Sequence, residues 1–315
     1  MENAQIIVLR VLIMSVILAV GFIAYKTGVI SKDGTKQLSA VELNIVNPAL
    51  IFMSYQQEWN SRLFSGLLWT FLLSAGSFAV VIPLAMLLKR RKDENLAVER
   101  FSCIYSNCGF MGIPLIKGLF GDEGVLYLTA YITVFNLLVF THGYMMMKEE
   151  HDLSALKKAV TSPTIIAVIV GAVCYVARLR LTSIPAVGST LAEALQIIAD
   201  MNTPAAMLIA GSTAAQGGLL GALKEKGILS TTAYKLLIIP AAVTAVMMLV
   251  PSSVALMPRL IVCIACACPA ATTGTMFALL FGKNAQRCSE IFAVTTVFSM
   301  LTLPLITALA SMVLH

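Results

Sequence analysis

Charge is what this chain lacks most: Asp, Glu, Lys and Arg make up 12% of its 315 residues, about half the share of a soluble domain. With 22 cations and 16 carboxylates it cannot cover its surface in water, which excludes a soluble globular protein. Histidine is scarcer still. His142, His151 and His315 are scattered, and no HExxH, paired-Asp or Ser-His arrangement occurs, so the usual intramembrane hydrolase sites are excluded. A removable leader is not expected either, because Glu2 precedes any cation and no small-residue cleavage pattern follows the first apolar run.

What is present is apolar. Hydrophobic residues reach 58% and the mean hydropathy is +0.88, concentrated in runs of about 20 residues, the length that crosses a bilayer. These runs predict spans near 5–25, 36–55, 63–88, 99–119, 124–147, 162–179, 188–215, 228–250, 258–281 and 289–313. Continuous runs, rather than alternating short segments, select helices over a barrel. The expected fold is therefore an all-α integral membrane protein of ten transmembrane helices.

The net charge of +6 follows topology, not nucleic acid. Fifteen Lys and Arg fall in the loops after odd-numbered spans and five on the other side, a bias that places both termini outside the cytoplasm in a multi-pass plasma-membrane protein. Lys235, about seven residues into span 8, and Lys117 and Glu290, near span ends, read as snorkelling side chains. The KRRKDE run at 89–94 reads as a topology anchor that meets membrane lipid. The seven cysteines lie within or beside apolar runs and read as small packing residues. Neither a disulfide framework nor a metal or other cofactor is expected from them, including the CxxCxC run at Cys263, Cys266 and Cys268.

The halves repeat. Gly21-xxx-Tyr25 recurs at Gly171-xxx-Tyr175, Asn47-Pro48 at Asn202-Thr203-Pro204, LFG at 119–121 again at 280–282, and TVF at 133–135 again at 296–298. Residues 1–150 and 160–315 are thus two five-span repeats, joined by a short cytoplasmic linker at 151–159. An odd number of spans per repeat makes them inverted, which is a transporter architecture.

Two spans carry breaks in matching places. Asn107, Gly109, Gly112 and Pro114 interrupt span 4, and Pro269, Thr272, Thr273 and Gly274 interrupt span 9. Freed half-helix ends in a bilayer need protein or a water-filled cavity, and their N-termini favour an anion. Asn47 and Asn202 form a second symmetric pair, able to coordinate substrate or to mend a broken helix. Asp200, in the middle of span 7, is the candidate for proton or cation coupling; Glu42, nearer the end of span 2, is the weaker one. His142 reads as hydrogen-bonded packing.

NPALIF in span 2, NCGFMGIPLIKGLFG in span 4 and MNTPAAMLIAGS in span 7 resemble the auxin efflux carrier family of bacterial transporters, related to the plant PIN-formed exporters. The resemblance covers the whole chain. It implies two inverted five-helix repeats with crossing, broken helices 4 and 9, an elevator motion, small organic anions such as carboxylates as substrate, and a homodimer. It likens Asn107 to the polar residue before the helix 4 crossover, and Pro114 and Pro269 to the broken segments. Proton, sodium and membrane potential all stay open as driving forces. A symporter or exchanger on the same fold, and a membrane sensor without transport, stand as the rival readings.

Overall fold

The computed structural model describes residues 2–88, 95–149, 161–251 and 253–314. The expected linker at 151–159 and the basic run at 89–94 lie outside the described residues. Within them the chain is helical, with no strand beyond one isolated β-bridge. Four helical runs are long and apolar enough to cross a membrane: Ser61–Met86, Cys108–Lys148, Lys226–Met248 and Ala285–Val313. Shorter apolar helices include Val11–Lys26, Pro163–Val176 and Leu256–Ala267.

Each of the ten apolar runs is helical, and several that fall short of spanning length are interrupted. The first helix, α1 (Glu2–Lys26), is continuous. The second run comprises α2 (Lys32–Val41), a wide π turn at Glu42–Val46, and α3 (Asn47–Ser54). Next comes α4 (Ser61–Met86). The fourth run splits into α5 (Leu96–Ile104) and, after a π turn at Cys108–Gly112, α6 (Ile113–Leu138). The corner between runs four and five sits inside α6 at Gly121, whose φ of +62° only glycine adopts freely. Gly282, at the matching corner before the last helix, has φ +65°. The repeated LFG motif thus ends both times on a left-handed glycine.

Three π turns share one cause. Those at Glu42–Val46, Cys108–Gly112 and Tyr234–Ile238 each stand two residues before a proline: Pro48, Pro114 and Pro240. Proline has no N–H to donate, and its ring crowds the carbonyl four residues back. The preceding turn widens to an i→i+5 bond, as in Asn47 N–H to Glu42 O, and turns of this kind concentrate at functional sites.

Glycines set the closest approaches between helices. Gly21 on α1 and Gly211 on the helix Asn202–Gln216 let their backbones touch, since a Cβ on either would overlap Leu208 O or Leu18 O. Gly171 likewise seats Pro163–Val176 on Tyr55, beside α3. Gly66 on α4 packs against Tyr127 of α6. The outer faces are apolar: Leu12, Val16, Val20 and Ile23 line one exposed stripe of α1, and Leu301, Leu305, Leu309 and Met312 another on Ala285–Val313. Such stripes suit lipid, and the protein is membrane-embedded.

Candidate functional site: the crossing of two broken helices

The sequence places the first break at the Gly and Pro positions; the structure puts it earlier, at Tyr105–Asn107. Tyr105 takes up extended backbone and Asn107 leaves helical geometry. Pro114 instead lies one and a half turns inside the second half-helix, where the π turn Cys108–Gly112 accommodates its missing N–H. The partner break follows Leu256–Ala267, at Cys268–Thr272, before the short helix Thr273–Leu280.

The two breaks meet. Asn107 N–H donates to Pro269 O at 2.7 Å, and Ala271 N–H donates to Tyr105 O at 2.9 Å, closing an antiparallel bridge between Ser106 and Ala270. Each unwound strand therefore satisfies part of the other's backbone, which lipid could not do. Gly112 permits the approach, since a Cβ there would lie 3.4 Å from Cys268 Sγ. Gly274 plays the same part against the ring of Phe101.

Beside the bridge lies a cavity of about 100 Å³, lined by Leu43, Asn47, Ile51, Ser106, Asn107, Cys108, Gly109, Phe110, Ile113, Ile132, Phe135, Asn136, Thr164, Ala271, Thr272 and Thr273. Five expected site residues are brought together here: Asn47, Asn107, Gly109, Thr272 and Thr273. A Cβ at Gly109 would meet nothing within 4 Å. The amide Nδ2 of Asn107 and the hydroxyl of Thr273 are buried with no protein partner. Both can donate.

Lys235 corrects the sequence reading most sharply. It does not snorkel to an interface; it is fully buried. From the π turn Tyr234–Ile238 its ammonium reaches Ser106 Oγ at 2.5 Å, Cys103 O at 3.2 Å and Cys266 O at 3.4 Å. Cys103 and Cys266 stand at the C-terminal ends of the two first half-helices, where unpaired carbonyls and the helix dipoles are negative. Three N–H donors meet three oxygens, and among the described residues no carboxylate pairs with this cation. A rule drawn from the π turns would have found it: Lys235 lies five residues before an intramembrane proline, and Glu42 six.

Asn202 does not line the cavity. Its Nδ2 donates to Asn47 Oδ1 at 2.7 Å and to Glu42 Oε1 at 2.6 Å, so the symmetric Asn pair meets directly. Glu42, the weaker candidate by sequence, is fully buried here.

Asp200 also departs from expectation. It ends the helix Gly188–Asp200, its side chain is 58% exposed, and it pairs with Lys117 Nζ at 2.8 Å. The reason is that the seventh run breaks at Met201, which turns Asp200 out into a separate cleft shared with Pro114, Lys117 and Thr203. Lys117 is thus an ion-pair partner rather than a snorkelling side chain. Pro114 belongs to that cleft and not to the crossover cavity. Arg287, counted among loop cations, is buried on Glu99 at 2.7 Å.

His142, Cys266 and Cys268 have local partners. Tyr105 Oη donates to Leu138 O, so His142 Nδ1, 2.9 Å away, must be the donor to Tyr105, consistent with hydrogen-bonded packing. Cys266 contacts Tyr131 Oη and Ser77 Oγ, whereas Cys268 points to Ile264 O, so the CxxCxC sulfurs diverge.

The chain matches the family described as "Membrane transport protein" over residues 6–307. An uncharacterized transporter of Methanocaldococcus jannaschii is 24% identical over 208 residues, 64% of this chain and 67% of that protein. A second, from Methanothermobacter thermautotrophicus, is 25% identical over 167 residues, 52% of this chain and 55% of the relative. With helices broken and crossed inside an apolar bundle, and with a family match from end to end, the chain belongs to the auxin efflux carrier-like family of membrane transport proteins.

Proposed function

We propose that this transporter is a secondary carrier of a small organic anion, a mono- or dicarboxylate, bound in the crossover cavity. One observation carries the reading: a buried ammonium without a carboxylate partner stands behind Ser106, on the wall of a cavity that also holds two unpartnered donors, Asn107 Nδ2 and Thr273 Oγ1. A carboxylate brings the acceptors and the charge those groups need, and hydrogen bonds to charged groups contribute about 1.5–3 kcal/mol each. The volume, about three waters' worth, suits a short acid.

In this reading the ten helical runs all span the plasma membrane as inverted five-helix repeats, with both termini outside. The bundle of spans 3 to 5 and 8 to 10 moves as an elevator against spans 1, 2, 6 and 7. The close-packed glycines of α1 and Asn202–Gln216 support a rigid scaffold. Asp200 acts through its bond to Lys117, a link between the bundles that opens when they slide. Pro269 and Gly112 hold the crossing, and Asn202 orients Asn47 toward substrate. Because Lys235 already fills the carbonyl ends where a coupling metal ion would sit, transport is independent of sodium.

The test is radiolabelled flux into proteoliposomes with malonate, malate, 2-oxoglutarate and indole-acetate, under imposed voltage, proton and sodium gradients in turn. Saturable uptake of a carboxylate without sodium is expected. Folded protein that moves none of them under any gradient leaves a non-transporting sensor, or another substrate class, as the better reading.

A further inference from the structure

Glu42 has no place in the anion site, yet it is the most deeply buried carboxylate on the scaffold side of the cavity. The π turn that begins at Glu42 sets it beside Asn47, five residues on, so that one amide group, Asn202 Nδ2, serves both. That uses both N–H bonds of Asn202. Left over are Glu42 Oε2 and Asn202 Oδ1, both buried and without partners. Each is separated by a single carbon from atoms already 2.6 Å apart. Every unmet group here is therefore an acceptor, and what is missing is one donor.

No cation supplies it among the described residues. The elements packed on this turn carry Lys32, Asp33, Lys36, Cys174, Tyr175, Glu193 and Asp200. Lys36 pairs with Asp33 in an exposed ion pair, Asp200 with Lys117, and Tyr175 bonds Asn60. Asn202–Gln216 and Asn47–Ser54 carry no titratable group.

We propose that Glu42 is an exchangeable proton-binding site whose occupancy is linked to that of the crossover cavity. A proton on Oε2 removes the uncompensated charge and turns that atom into a donor toward Asn202 Oδ1, so carboxylic acid and amide close two hydrogen bonds side by side. The link to substrate is Asn47, whose oxygen accepts from Asn202 while the residue lines the cavity with Asn107. A carboxylate that engages Asn47 changes the acceptor held by Asn202, and with it the proton affinity of Glu42. The linkage rests on the carrier reading above; the proton site does not.

Infrared difference spectroscopy of the full chain in lipid, stepped through neutral pH without substrate, tests the site. The expected result is a deuterium-sensitive carboxylic-acid C=O band that titrates and is absent from Glu42→Gln. Should that variant fail to fold, wild-type protein carrying carbon-13 glutamate shifts the same band. No titrating band, or one that survives Glu42→Gln, overturns the site. A band erased by sodium at constant pH also overturns it, in favour of a metal cation. Adding malonate is expected to change the band's amplitude, and an unchanged band overturns the linkage. In flux assays an imposed proton gradient accelerates the wild type several-fold and leaves Glu42→Gln unaffected; equal acceleration of both overturns the linkage. A titrating band in a protein that moves no anion breaks the carrier reading and leaves the proton site standing.

Discussion

The crossing of the two broken helices and the meeting of Glu42, Asn47 and Asn202 are built from the same device with opposite sign. Both carry a π turn ahead of a proline inside an apolar bundle. At the crossing the repair uses backbone pairing and the Lys235 ammonium, and what remains unmet are donors, Asn107 Nδ2 and Thr273 Oγ1. At Glu42 one side-chain amide serves two side-chain oxygens, and what remains unmet are acceptors. Buried polar groups are rarely left single without a reason. Leftover donors beside a fixed cation call for an anion; leftover acceptors around a lone carboxylate call for a proton.

Removing Lys235 attacks the comparison hardest. Lys235→Met leaves Cys103 O and Ser106 Oγ without this donor, at about 1–3 kcal/mol each, while Cys266 O keeps the Ser106 hydroxyl, so a large fall in thermal midpoint and loss of flux are expected in detergent melting and proteoliposome assays. Asn107→Ala separates function from stability. Its Nδ2 has no protein partner, so melting stays close to wild type while the apparent KM rises about tenfold or more, the equivalent of one charge-assisted bond. Thr273→Val is the gentler form of the same test, with a KM increase of roughly fivefold for about 1 kcal/mol. Asp200→Asn weakens a largely exposed ion pair worth about 0.2–1 kcal/mol, so flux should change by less than about fivefold, in turnover rather than KM. A tenfold KM effect there would move the binding site to the Lys117 cleft.

Depth along the chain was legible in the sequence, and direction around each helix was not. Apolar length placed all ten helical runs to within a few residues, because only the bilayer-crossing requirement was needed. The helix-breaking residues located the crossing, and Asn47, Asn107, Gly109, Thr272 and Thr273 do share its cavity. Lys235 was misjudged because a lysine one turn or two from a span end can turn outward or inward, and only its neighbours decide. Asp200, mid-span by count, stands where the helix breaks and opens into a cleft. Ser106, Asn136 and Thr164 belong to no motif and reach the cavity only through tertiary packing.

The most direct test of the anion site is equilibrium binding of small carboxylates to the purified protein, by calorimetry, with wild type beside Asn107→Ala and Asp200→Asn. The account predicts saturable binding that is lost in Asn107→Ala and retained in Asp200→Asn. Equal affinity in wild type and Asn107→Ala would contradict it.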